Sequence, residues 1–241
     1  MNTLQALIFD VDGTLADTER DGHRIAFNRA FADAGLDWHW DEALYGELLA
    51  VTGGKERIRF FVARHRPEFA ARTDFDARVK ALHAAKTVHY VELVESGALP
   101  LRPGVMPLIA EARAAGLRLA IATTTTPENV AVLLRASMAP EAASWFEVIG
   151  AGDIVPAKKP APDIYVWVLE RLGLPATACL ALEDSENGIR ASRAANIPTL
   201  VTESEYTRGQ DFTGALAVLP DLAGTSLADV KSIFSKALSS A

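Results

Sequence analysis

Asp10 and Asp12 stand two residues apart in the run Asp10-Val11-Asp12-Gly13-Thr14, directly after a short apolar stretch. Two carboxylates that close can divide nucleophilic and acid–base work between them. Three further groups stand at similar breaks in the pattern. Thr123 opens a run of four threonines that includes Thr124 and Thr125, Lys159 precedes Pro160, and Glu183-Asp184 follows the apolar run Cys179–Leu182. Together these are the parts that phosphoryl transfer requires. Clustered carboxylates repel one another unless a cation neutralises them. A site of few oxygen ligands, with room for water and phosphate, suits Mg2+. A lysine and a hydroxyl can hold the remaining phosphoryl oxygens. Each group also has a plainer reading: Asp12-Gly13 as a turn, Glu183-Asp184 as a helix cap, the threonines as strand, Lys158-Lys159 as a solvated loop. Their joint placement is what points to chemistry.

The elements that must position them follow from periodicity. Leu4 to Val11 reads as a strand buried on both faces. From about Asp17 to Glu95 the pattern is helical, with helices predicted near Ile25–Ala34, Asp41–Ala50, Lys55–Arg66 and Asp74–Ser96. Strands and helices then alternate. The strands fall at Leu117–Ala122, Phe146–Gly150, Cys179–Leu182 and Pro198–Val201. The helices open near Pro103, Pro127, Pro162 and Asn187. Alternation of this kind implies an α/β fold, a doubly wound parallel sheet. A helical insert at 17–96 would interrupt a core made of 1–16 and 97–241. Ligands of such sheets sit outside the carboxyl ends of the strands, where all the polar groups above fall.

The chain has 241 residues and a net charge of −7, which argues against general nucleic-acid binding. Its single cysteine, Cys179, excludes an internal disulfide and reads as a buried small hydrophobe. No stretch is apolar for long enough to span a membrane, and no targeting leader is visible, so a cytoplasmic monomer is expected. Charge is unevenly spread: between Lys55 and Lys86 there are nine basic residues against four acidic ones. The plain reading is solvated helix surface, but a segment facing a phosphate would need this sign. Thr52-Gly53-Gly54-Lys55 is more pointed, because two glycines expose backbone amides where a helix begins.

Asp10-Val11-Asp12-Gly13-Thr14, Thr123, Lys159-Pro160 and Glu183-Asp184 resemble, in order, the four motifs of the haloacid dehalogenase superfamily. The insert resembles that superfamily's helical cap. The resemblance implies a Rossmann-like core and assigns roles by position. Asp10 would be the nucleophile and Asp12 the acid and base. Asp10, the Asp12 main-chain carbonyl and Asp184 would hold Mg2+, with Glu183 helping directly or through water. Thr123 and Lys159 would bind the transferring phosphoryl group. Aspartate at position 12 favours phosphate esters over the superfamily's dehalogenation chemistry.

The segments from Asp17 to Asn28 and from Thr52 to Ile58 further resemble the CbbY branch, which dephosphorylates xylulose 1,5-bisphosphate. That implies a phosphorylated sugar as the small-molecule partner. Glu19, His23, Gly53, Gly54, Thr124 and Thr125 would line its site, and Lys55, Arg59 and Lys86 would clasp the phosphate that stays. A β-phosphoglucomutase-like enzyme shares these motifs and is the nearest alternative. A non-catalytic phosphosugar-binding protein is a more distant one, since none of Asp10, Asp12, Lys159 or Asp184 is eroded.

Overall fold

Leu7 and Phe9 face one side of strand β1 (Ala6–Phe9), Ala6 and Ile8 face the other, and all four are fully buried. A strand apolar on both faces needs cover on both, and the computed structural model, which describes residues 3–239, supplies it. Strands β2 (Arg118–Ala122), β3 (Val148–Gly150), β4 (Cys179–Glu183), β5 (Thr199–Thr202) and β6 (Ala217–Leu219) join β1 in one parallel sheet, in the order β3-β2-β1-β4-β5-β6. Helices α6 (Val105–Ala114), α7 (Pro127–Ser137) and α10 (Leu227–Ser239) supply apolar residues to one face. Helices α8 (Asp163–Leu172) and α9 (Glu186–Ala194) cover the other, where Cys179 is buried as a small apolar group.

This order places the topological switch point at the end of β1, which pairs with β2 on one side and β4 on the other. Strands leave that point in both directions, so the loops after β1, β2 and β4 diverge and open a crevice. Asp10, Thr123 and Asp184 are the residues that immediately follow those three strands.

Between β1 and β2 the chain is helical: a π-helical turn at Glu19–His23, then α1 (Arg24–Asp33), α2 (Glu42–Leu48), α3 (Gly54–His65), α4 (Pro67–Ala70) and α5 (Phe75–Glu95). These helices bury an aromatic cluster of their own, built on Phe27, Phe31, Trp38, Trp40, Tyr45 and Phe61. Trp40 sits at its centre, with ring centroids 4.6 Å from Phe27 and 4.9 Å from Phe31. Asn28 fixes the Trp40 backbone from both sides, donating to its carbonyl at 2.8 Å and accepting from its amide at 2.7 Å. Asp41 caps α2 by accepting from the Leu44 amide at 2.8 Å.

Three differences from the sequence reading stand out. The first strand is Ala6–Phe9 rather than Leu4–Val11, because Asp10 and its successors turn out of the sheet. The one-turn helix α4 begins at Pro67 and is too short to show a period. β6 and α10 order the last part of the chain, where the sequence pattern had suggested no element. Among the described residues no helix is long and apolar enough to cross a membrane.

Trp40→Ala is expected to destabilise the fold by about 3–5 kcal/mol through the cavity it leaves. Urea denaturation followed by far-UV circular dichroism reads this, and a midpoint equal to wild type would contradict a central role for Trp40.

Candidate active site

The loop after β1 begins with a buried carboxylate. Asp10 accepts from Lys159 Nζ at 2.6 Å, and the same ammonium donates to Glu183 Oε1 at 2.6 Å and to the Ala122 carbonyl at 2.9 Å. An ammonium has three protons, so all of the lysine's donors are engaged. The phenol of Tyr165, from α8, donates to the same Glu183 oxygen. Gly188, at the start of α9, leaves the space that the Glu183 carboxylate fills, since a Cβ there would collide with it.

Asp10, Glu183 and Asp184 each bring an oxygen within 4.8 Å of the others, and all three are buried. One lysine cannot offset three carboxylates. Burial pushes the Asp10 carboxyl up to about 8, with Glu183 and Asp12 adding to the rise and Lys159 opposing it. Burial likewise drives Asp184 well above the usual range, helped by the charges of Asp10 and Glu183. Burial works against the Lys159 ammonium, but Asp10 and Glu183 outweigh it and raise its pKa. This donor set therefore fits a divalent cation: hard, crowded oxygens whose mutual repulsion only an added positive charge relieves.

Asp12 is held differently, by the helical segment. Its Oδ1 accepts from Thr18 Oγ1 at 2.5 Å and lies 2.8 Å from His23 Nε2. Lys86 Nζ lies 2.7 Å from His23 Nδ1. Lysine can only donate, so Nδ1 accepts, Nε2 carries the ring proton, and that proton points at Asp12. Tyr90 stacks on the imidazole at a centroid distance of 4.2 Å. Burial alone would raise the Asp12 carboxyl, but His23, Thr18 and Lys86 together hold it well below the usual range. Both hydrogen bonds fall on Oδ1, which leaves Oδ2 available.

Two adjoining cavities, of about 450 and 430 Å3, meet at Asp12, Glu19, Arg57 and Thr124. The second contains Asp10, Thr123, Lys159 and Asp184. The first runs outward past His23, Gly53, Gly54, Lys55, Lys86 and Thr125, so all but one of the sequence-derived site residues are gathered around this space or bonded to its walls. Thr123 Oγ1 accepts from the Thr125 amide at 3.3 Å, which shapes the threonine turn. Lys55 forms an ion pair with Asp153, a residue of the loop after β3.

The exception is Arg59. It pairs with Asp76 at 3.0 Å on the protein surface and lines neither cavity. Two residues along a helix turn about 200°, so Arg57 takes the inner face instead. Arg57 is buried, donates to Tyr45 Oη at 2.7 Å, and lies 3.5 Å from Glu19. Most of the basic excess is likewise surface: Arg72 and Arg78 both pair with Asp74. Sequence reasoning missed Arg57 and His83 as lining groups. The signal was there, because Arg57 precedes the buried Phe61 by four residues, and His83 follows Val79 by four.

A model of haloacid dehalogenase-like hydrolases matches residues 4–196. The chain belongs to that family. It is therefore a hydrolase, and the match spans strands β1 to β4, the helical segment and every site residue above. The plasmid-borne CbbY protein of Cupriavidus necator is 56% identical over 219 residues, covering 91% of this hydrolase and 86% of that protein. A crystal structure of CbbY from Rhodobacter sphaeroides in complex with phosphate superimposes with a TM-score of 0.87 at 47% identity, covering 94% of this hydrolase and 99% of that chain. A mutant of the same protein, in complex with xylulose 1,5-bisphosphate, gives a TM-score of 0.86 at 45% identity over the same shares.

His83 yields a pH prediction. Burial, with Lys86, Lys55 and His23 adding, pushes its imidazole down to about 3 from an ordinary 6.5. Between those values the unfolded chain takes up a proton that the folded chain refuses, so stability falls as pH drops from about 6.5 toward 3. His83→Gln is expected to make that acid limb shallower. A urea midpoint that falls equally steeply in both proteins would contradict the burial of His83.

Proposed function

We propose that this hydrolase is a Mg2+-dependent phosphatase that acts on a ketose bisphosphate, xylulose 1,5-bisphosphate, through an aspartyl phosphate on Asp10. The observation that carries the chemistry is the convergence of Asp10 with Lys159 and Asp184, while a second aspartate two residues on is held apart by His23 and Thr18. The likeness to a CbbY solved with xylulose 1,5-bisphosphate supports the choice of sugar.

In this reading Asp10 and Asp184 hold the metal with the Asp12 main-chain carbonyl. Glu183 is already committed to Lys159 and Tyr165, and acts mainly by fixing the lysine. The bound ion would draw negative charge off the phosphoryl oxygens. An Asp10 oxygen attacks phosphorus, the bond to the sugar oxygen breaks, and Asp12 protonates that oxygen. The arriving phosphate dianion raises the proton affinity of Asp12, which is otherwise held ionised. After the sugar alcohol departs, Asp12 removes a proton from water as the water attacks the phosphoaspartate. Asp10 is thereby restored and inorganic phosphate released. Lys159 stays charged throughout and offsets the charge of the group in transit, while the Thr123 hydroxyl donates a hydrogen bond to it.

Residues 17–96 serve as a cap over the reaction. The outer cavity, with Lys55, Arg57 and Lys86 on its helical side and Thr124 and Thr125 on the sheet side, receives the phosphate that is not cleaved. Lys55 then exchanges Asp153 for that phosphate. Closure also keeps bulk water from Asp10.

The test is phosphate release from xylulose 1,5-bisphosphate, ribulose 1,5-bisphosphate, fructose 1,6-bisphosphate and simple sugar monophosphates, each with Mg2+ and with a chelator. A strong preference for the first, abolished by chelation, is expected. Equal turnover across the panel would reject the named substrate. Asp12→Asn is expected to lower kcat by about 10^2–10^4-fold. Lys55→Ala is expected to raise KM for the bisphosphate far more than for a monophosphate; an equal rise for both would reject the outer phosphate site.

A further inference from the structure

Among the described residues, Arg102 is the one buried charge that neither lines the two cavities of the site nor bonds a side chain that does. It lies in the strand-like return from α5 to α6. Its nearest carboxylate, Asp17 at 3.3 Å, is mostly in solvent, so the guanidinium is satisfied chiefly by neutral oxygens. Nη1 donates to the Gly13 carbonyl and to Thr202, at 3.0 Å for the carbonyl and 3.1 Å for Oγ1. Nη2 donates to the carbonyls of Glu203 at 2.5 Å and Pro220 at 2.9 Å. Its own amide donates to the Leu15 carbonyl at 2.8 Å. Burying a cation costs several kcal/mol, and a hydrocarbon of similar size usually serves stability as well. A planar fork with five donors can do what a hydrocarbon cannot, which is to hold carbonyls of separate segments in one register.

Two of those segments flank one carboxylate. Gly13 has φ +83° and its Cα packs directly on Asp184, so closely that a Cβ would collide with the carboxylate. Glu203 is followed by Ser204, which lines the same cavity as Asp184. A rotation of the Gly13 or Glu203 peptide would move a wall against which Asp184 rests.

We propose that Arg102 is a positioning residue for Asp184: by clamping the Gly13 and Glu203 carbonyls it aims that carboxylate at Asp10 and so sets how tightly the pair holds a divalent cation. This rests on the reading of Asp10 and Asp184 as the cation's holders. Partners of ligating groups affect affinity in this way because a ligand that must be reoriented on binding binds more weakly.

Isothermal titration of Mg2+ into the whole protein tests it, using wild type, Arg102→Met, Arg102→Lys and Asp184→Asn, with a thermal melt of each. Both Arg102 variants are expected to bind Mg2+ about tenfold more weakly. The Mg2+ concentration for half-maximal phosphate release should rise in step, while KM at saturating Mg2+ stays within about twofold. A group that merely stabilised the fold would lower the melting temperature and leave the Mg2+ affinity alone. If Arg102→Met does not fold, Arg102→Lys decides, since it keeps the charge but not the fork. Native Mg2+ affinity in a folded Arg102→Lys overturns the proposal, as does failure of both variants to fold. Asp184→Asn separates the two layers: native affinity there would remove the metal reading itself, whereas loss there with native affinity in Arg102→Lys removes only the role of Arg102.

Discussion

Three buried carboxylates around one lysine are the constraint on which the rest of this structure depends. Asp10, Glu183 and Asp184 bring more negative charge together than Lys159 can offset, yet the parallel sheet delivers them to one point. Clustered like charges are tolerated only where the scaffold over-determines their placement and a further cation is admitted. The scaffold does this by topology. β1 lies at the centre of the strand order, and its neighbours β2 and β4 are followed at once by Thr123 and Asp184. The lysine that answers them comes from a different loop and is aimed by Glu183 and the Ala122 carbonyl.

Asp10 and Asp12, two residues apart and proposed as nucleophile and acid–base group, are held by different parts of the molecule. Asp10 is fixed by Lys159 from the loop before α8, while Asp12 is fixed by Thr18, His23 and, through the imidazole, Lys86. In the proposed mechanism the site is therefore complete only when the helical segment sits on the sheet. Contacts join the two at the mouth of the site: Thr52 donates to the Lys159 carbonyl, Asn187 donates to the Ala50 carbonyl at 3.2 Å, and Lys55 pairs with Asp153. Substrate that reinforces these contacts would couple binding to the assembly of the acid–base group.

Much of this was legible in the residues. The carboxyl-end positions of Asp10, Thr123 and Glu183-Asp184 followed from apolar runs that stop at polar breaks, and the parallel fold followed from alternation of strands and helices. The helix faces were the weak point. Counting basic residues selected Arg59, whereas the buried stripe Arg57–Ile58–Phe61 selects Arg57. The same stripe on α5 runs Val79, Leu82, Lys86, Tyr90, and a lysine at a core position was a stronger signal than its charge. The ties between distant segments were not legible at all. Nothing local in Arg102 announces that it binds the Gly13 and Glu203 carbonyls, because such bonds exist only once the chain has folded.

The central claim is that Asp10 carries the phosphoryl group in transit. Acid quench of the wild-type enzyme within milliseconds of mixing with excess xylulose 1,5-bisphosphate, followed by peptide mass spectrometry, tests it directly. During turnover part of the enzyme carries the intermediate, and the account predicts a single acid-stable phosphorylated peptide with the modification on Asp10. Phosphate released with no modified peptide at any time, or a modification on Asp184 instead, would contradict it.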